Sequence, residues 1–126
     1  MKMAHVAMWT RDLDRLCAFW QRVLGAQIGE VYQSRNRPGY TSRFLTFQDG
    51  PSVEVMSGPW VGDAMGDEGT GYAHLAFSLG DPAAVDALAE AMRAEGRLVS
   101  GPRQTGDGYY EAVLRDPDGN LIEIVA

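Results

Sequence analysis

Apolar positions along the chain change period several times, and each change marks an element. Residues 3–9 form a short apolar run with small side chains, closed by Thr10-Arg11-Asp12, and predict a strand. From Asp12 onward Leu13, Leu16, Phe19, Trp20, Val23 and Leu24 recur at three- and four-residue steps. That spacing gathers them on one face of a helix, with Asp12 able to cap its first turn and Gly25 to stop it. Residues 27–33 predict a second strand and 34–39 a polar loop. Residues 42–48 and 52–57 then read as a hairpin around Asp49-Gly50. The order is βαβββ.

The same order returns. Residues 72–79 predict a strand, and Asp81-Pro82 opens a helix with a cap followed by proline. Val85, Leu88, Ala89 and Met92 form its apolar stripe, and Gly96 ends it. Residues 97–100 continue as a strand, and 109–115 with 120–125 form a hairpin around Asp116-Pro117-Asp118-Gly119. One offset, 69 (74 minus 5), relates Ala4-His5-Val6-Ala7 to Ala73-His74-Leu75-Ala76, Asp49-Gly50 to Asp118-Gly119, and Val53-Glu54-Val55 to Ile122-Glu123-Ile124. A single offset kept across strand, helix and hairpin marks an internal duplication. The expected organisation is one α+β domain over 1–126. Repeat one covers 1–57, a glycine-rich acidic linker 58–71, and repeat two 72–126, with the strands forming a curved mixed sheet.

The duplication also selects the chemistry. The chain has two histidines, His5 and His74, in equivalent places, and a glutamate follows each 49 residues later (54 minus 5), at Glu54 and Glu123. Alone, a strand histidine is more often a satisfied core or surface residue than a ligand, and a strand glutamate is more often simply solvated. Together they say more. Val53, Val55, Ile122 and Ile124 belong to the packed face, so the glutamates point the other way. If that face curls into a concave sheet, two carboxylates partly withdrawn from water repel one another. No arginine or lysine stands at a repeated position to pair with both. One divalent metal ion held by His5, Glu54, His74 and Glu123 satisfies all four. Nitrogen and oxygen donors of this kind suit zinc, nickel, cobalt, manganese or ferrous iron without choosing among them.

Composition narrows the class. The formal net charge of −6 and the scattered basic residues, densest at Arg35, Arg37 and Arg43, exclude a general nucleic-acid binder. Hydrophobic residues at 45% and charged residues at 22% are ordinary for a globular protein. The single Cys17 forms no internal disulfide and falls on the apolar helix face as a structural thiol. No apolar run is long enough to span a bilayer and no stretch resembles a signal peptide, so a cytoplasmic protein is expected.

The two-repeat βαβββ plan, the opening Ala4-His5-Val6-Ala7 and the closing Asp116-Pro117-Asp118-Gly119-Asn120-Leu121-Ile122-Glu123 resemble the vicinal oxygen chelate superfamily over essentially the whole chain. Within it, His–Glu in each half is the pattern of glyoxalase I. Extradiol dioxygenases and fosfomycin-resistance transferases use two histidines and one glutamate, and methylmalonyl-CoA epimerases typically carry glutamine where Glu54 stands. Bleomycin-binding relatives generally lack the set. The resemblance therefore implies a metal-dependent, glyoxalase I-like lyase or isomerase acting on a small molecule. The metal would chelate two adjacent substrate oxygens while Glu123, with Glu54 as its pseudo-symmetric partner, moves a proton. It also implies a homodimer in which His5 and Glu54 of one chain meet His74 and Glu123 of the other. Two rival readings are a binding protein that sequesters an antibiotic or other small molecule, and a dioxygenase on the same scaffold.

One position departs from the pattern. Trp9 stands where glyoxalase I enzymes carry a first-strand arginine for the γ-glutamyl carboxylate of glutathione, so glutathione dependence does not follow. Pairing Gln48 with Pro51 across the first hairpin would set Arg43 opposite Met56, on the face of Glu54, where it could bind a substrate carboxylate or phosphate. Trp9, Tyr40, Phe47 and Met56 are the expected pocket walls.

Overall fold

A computed structural model of the chain describes residues 1–64 and 66–126. Both expected βαβββ modules are present, each with its own mixed sheet and one helix, and the chain divides into two compact units, Met1–Asp63 and Ala64–Ala126.

In the first unit β1 (His5–Trp9) leads into α1 (Leu13–Leu24). The Asp12 side chain accepts a hydrogen bond from Arg15 N, and Gly25, at φ 69°, closes the helix in a conformation that favours glycine. Leu16, Cys17, Phe19 and Trp20 are buried, as are Leu45, Val53 and Val55 of the strands beneath α1. The expected strand over 27–33 is in fact two short pieces, β2 (Gln27–Ile28) and β3 (Tyr32–Gln33). Both pair with β4 (Thr41–Thr46). Ile28 lies beside Leu45 and Tyr32 beside Ser42, so four steps on one strand match three on the other. The extra residue makes a bulge beside Gly29, whose N–H donates to Phe44 O at 2.8 Å.

β5 (Ser52–Ser57) runs antiparallel to β4 and parallel to β1, giving the order β1-β5-β4-β2 with β3 also on β4. The hairpin register differs from expectation by one residue. Arg43 lies beside Val55 and Phe44 beside Glu54, so Arg43 does not oppose Met56. The connection is the five residues 47–51 rather than a two-residue turn. Pro51 has no N–H for the ladder, so pairing with Gln48 does not extend β4. An odd shift turns every β4 side chain to the other face. Arg43 therefore sits on the helix side, donating to Gly29 O at 3.2 Å and pairing with Asp14 at 3.5 Å. Phe47 also turns to that side, its ring 6.4 Å from Trp20.

In the second unit β6 (His74–Ser78), α2 (Pro82–Ala94), β7 (Leu98–Gln104), β8 (Tyr110–Arg115) and β9 (Leu121–Val125) form the sheet order β6-β9-β8-β7 with α2 packed on it. Asp81 caps α2 through Ala84 N, and Val85, Ala89 and Met92 are buried, with Leu88 half-buried. β7 runs four residues past the expected 97–100, with two register shifts against β8. Gly101 sits in that irregular stretch, where a Cβ would stand 2.7 Å from Glu111 O. At the β8–β9 turn the buried Asp116 carboxylate accepts from Asp118 N, Asn120 N and Asn120 Nδ2, all at 2.9 Å. These bonds fix the approach to β9. No helix among the described residues is long and apolar enough to cross a membrane.

Candidate metal centre

Parallel pairing sets each histidine near its glutamate. β1 lies on β5 with Ala7 beside Glu54, and β6 lies on β9 with Ala76 beside Glu123. In each unit the histidine is two residues earlier on its strand, hence on the same face as the glutamate and opposite the buried Val53–Val55 or Ile122–Ile124 layer. His5 Nε2 stands 3.8 Å from Glu54 Oε2, and His74 Nε2 stands 3.6 Å from Glu123 Oε2. The glutamate side chains keep only 17% and 19% of their exposure, while the imidazoles remain about half open.

Two donors on one cation at about 2.0–2.2 Å each lie roughly 3–3.5 Å apart. Both pairs are a few tenths of an ångström wider, so within each unit a small rotamer change would bring the two donors to the spacing that one ion needs. The donor chemistry fits as well, since imidazole nitrogen and carboxylate oxygen are the ordinary ligands of borderline divalent metals. Each unit supplies two donors. Among the described residues no group of three or more histidine, cysteine or acidic side chains gathers in a form that could hold a metal.

The two pairs have different surroundings. Glu54 accepts a hydrogen bond from the Tyr40 hydroxyl at 3.1 Å, and His5 meets the Phe44 ring edge-on at 5.5 Å. Burial lifts the Tyr40 pKa above its ordinary value; a hydrogen bond with Ser42 lowers it, while the one to Glu54 adds to the lift. Glu123 also has a raised pKa. Burial is the larger cause and the nearby Glu111 carboxylate the next, with His74 pulling in the other direction. Glu111 is itself buried and takes a hydrogen bond from Arg103 at 3.0 Å.

Of the expected wall residues, Trp9, Tyr40 and Met56 belong to the first unit's His5–Glu54 face; Arg43 and Phe47 do not, for the reason of register given above. Phe44 takes a place on that face, which the register seen here, but not the expected one, would have revealed. Trp60 and Arg37 join it too. Trp60 lies in the stretch expected as linker, yet its ring is 6.4 Å from Trp9, and Arg37 Cζ is 4.0 Å from the Trp60 ring centre. No periodic signal marks either residue. In the second unit Glu111, beside Glu123, was equally unmarked.

Sheet order, doubled helix and doubled His–Glu pair define a member of the Glyoxalase/Bleomycin resistance protein/Dioxygenase superfamily. The chain belongs to that family, whose model matches residues 2–124. It is 34% identical to the lactoylglutathione lyase of Haemophilus influenzae over 130 residues, covering 99% of this chain and 92% of that protein. Among solved structures it is similar to the trypanothione-dependent glyoxalase I of Leishmania major, with TM-score 0.78 and 26% identity over 99% of this chain and 86% of that one. A glyoxylase/bleomycin resistance protein/dioxygenase domain from Frankia sp. shares the fold at TM-score 0.83 and 20% identity, covering 99% and 96% of the two chains.

Proposed function

We propose that this protein is a metal-dependent lyase of the glyoxalase I kind, moving a proton at the carbon beside two adjacent oxygens of a small substrate. The observation that carries the reading is the His–Glu pair built twice, at 3.8 and 3.6 Å, on equivalent strands. Similarity to a lactoylglutathione lyase supports the reaction class. The repeats 1–57 and 72–126, joined by 58–71, act on this reading as two halves of one domain, each contributing half of a ligand set.

A divalent ion held by His5, Glu54, His74 and Glu123 would supply Lewis acidity to the two substrate oxygens. The chain's own groups do the rest. His5 and His74, whose Nε2 atoms face the glutamates, would supply the ion's nitrogen donors. Tyr40 orients Glu54 through its hydroxyl and keeps that carboxylate from swinging away. Glu123 is the base. Its Oε2 lies 3.6 Å from His74 Nε2 on the site face, so a carboxylate released from the ion there could take the proton from one carbon and return it to the adjacent one. Trp9, Phe44 and Met56 give the first unit's face apolar side chains beside the His5–Glu54 pair, a surface for the apolar parts of a substrate.

The test is the metal content of the purified protein and of two variants. His5→Ala and His74→Ala should each lower affinity for the bound metal by at least tenfold, because each removes one of four donors. Unchanged affinity in both would remove the four-ligand site. Ligand binding without any metal would favour the sequestering protein, and iron with oxygen consumption would favour the dioxygenase.

A further inference from the structure

Arg37 is held as few exposed arginines are. Its Cζ lies 4.0 Å from the Trp60 ring centre, 5.6 Å from Trp9 and 5.8 Å from Tyr40. Trp9 meets Trp60 at 82° and Tyr40 at 89°, so Arg37 lies against a cluster of three rings in edge-to-face contact through Trp9. The surroundings are built for this. The loop that carries Arg37 closes on itself: Arg37 N donates to Ser34 Oγ at 3.0 Å and Tyr40 N to Arg37 O at 3.0 Å. Trp60 folds back so closely over Gly58 that a Cβ there would lie 2.5 Å from the indole, and a Cβ on Gly39 would lie 2.9 Å from Pro59. Arg11 pins the following segment, donating to Val61 O at 3.1 Å and pairing with Asp63 at 2.7 Å.

Among the described residues no carboxylate pairs with Arg37, in a chain of net charge −6 where acidic partners are plentiful. Cation–π contacts hold the guanidinium without using its N–H donors in hydrogen bonds to a carboxylate. Those donors form a planar fork matched to the two oxygens of a carboxylate. Tyr40 is the side chain that touches both this cation and Glu54, which links Arg37 to the His5–Glu54 pair through one residue. We propose that Arg37, clamped by Trp9, Tyr40 and Trp60, is the anchor for a carboxylate on the substrate's non-reacting arm. The assignment rests on the reading of His5–Glu54 as part of the reaction site. The charge that strand position 9 lacks is thus delivered from the loop before β4, and Trp9 becomes part of the clamp.

The test separates binding from turnover. Metal-free protein is titrated with glutathione, which carries two carboxylates, and with its diethyl ester, which carries none, while Trp9 and Trp60 fluorescence is followed. Glutathione should bind at least tenfold more tightly than the ester, and Arg37→Ala should remove that preference. Arg37→Lys should restore part of it, since it keeps the charge but not the flat stacking fork. Arg35→Ala, in the same loop, should leave it intact. The proposal is overturned if Arg37→Ala keeps the preference, if Arg35→Ala loses it equally, or if inorganic phosphate binds more tightly than glutathione. Because this readout needs neither metal nor catalysis, it can fail while the lyase reading stands, and can succeed if that reading fails. In turnover of the methylglyoxal–glutathione adduct, Arg37→Ala should act mainly on KM, by roughly tenfold. A loss confined to kcat would place Arg37 with the reacting atoms and overturn the anchor.

Discussion

Glu123 bears two influences that raise its proton affinity together, burial first and the Glu111 carboxylate second, and one, His74, that opposes them. For a carboxyl whose folded pKa is raised, the neutral form is the one the fold favours. Its contribution to stability is present below the ordinary glutamate range and is lost as pH rises through the folded value. Ionising Glu123 as pH rises therefore costs the metal-free protein stability. Glu123→Gln removes the charge and offers an amide N–H to Glu111. Thermal unfolding of the metal-free proteins should show the variant melting higher than the parent at neutral pH, with the gap closing as pH falls through the carboxylate range. A gap that persisted in acid would mean the effect is packing and not charge. The same variant should lose essentially all turnover while still binding some metal, because an amide can ligate but cannot accept the proton. Full activity would move the base to Glu54.

At the scale of elements, the second hairpin illustrates how a turn is held by side chains, chiefly Asp116, with Arg115 donating to Gly119 O at 2.8 Å. Asp116 is buried with three hydrogen bonds to Asp118 and Asn120, and the strand it launches carries Glu123. Asp116→Ala orphans these donors and should destabilise the protein by about 2–4 kcal/mol in chemical unfolding, whereas Asp118→Ala, which keeps the donors, should cost clearly less. A loss below about 0.5 kcal/mol would mean water replaces the carboxylate there. The contrast with the first hairpin shows what could be read from sequence. Helix limits were legible because Asp12, Gly25 and Asp81 are caps whose chemistry is local, and the His–Glu spacing was legible because the duplication repeats it. The parity of the Asp49-Gly50 hairpin was not. Asp-Gly points to a short turn, but Pro51 beside it denies the ladder an N–H, and the resulting five-residue loop exchanges Arg43 for Phe44 on the site face. Arg37 and Trp60 were illegible for another reason. They meet through a loop and a stretch with glycines at 58 and 62, where no period exists and only close approach, made possible by Gly39 and Gly58, brings them together.

At the scale of the whole molecule, the question is how pairs of ligands become sets of four. Each unit offers one imidazole and one carboxylate, and two donors are too few to hold a divalent ion against water. Each sheet has one helix on one face, while the first unit's other face leaves Trp9 and Phe44 each 41% exposed. Modules of this size seldom bury both faces of a sheet unaided. On the proposed reading a two-fold homodimer would answer both needs: symmetry would bring His5 and Glu54 of one chain to His74 and Glu123 of the other twice over, for one metal per chain. Light scattering should therefore report a dimer at micromolar concentration, and a monomer that still bound metal tightly would remove this arrangement. The decisive measurement is complementation. At metal concentrations that load the parent but not the weakened variants, His5→Ala and His74→Ala should each be inactive alone. If sites are shared between chains, a mixed dimer joins both defects in one site and leaves the other intact. Equal mixing followed by exchange should then restore about a quarter of the parent's activity and metal. If each site is built from a single chain, mixing restores neither, because every site keeps its own lesion whatever its neighbour carries.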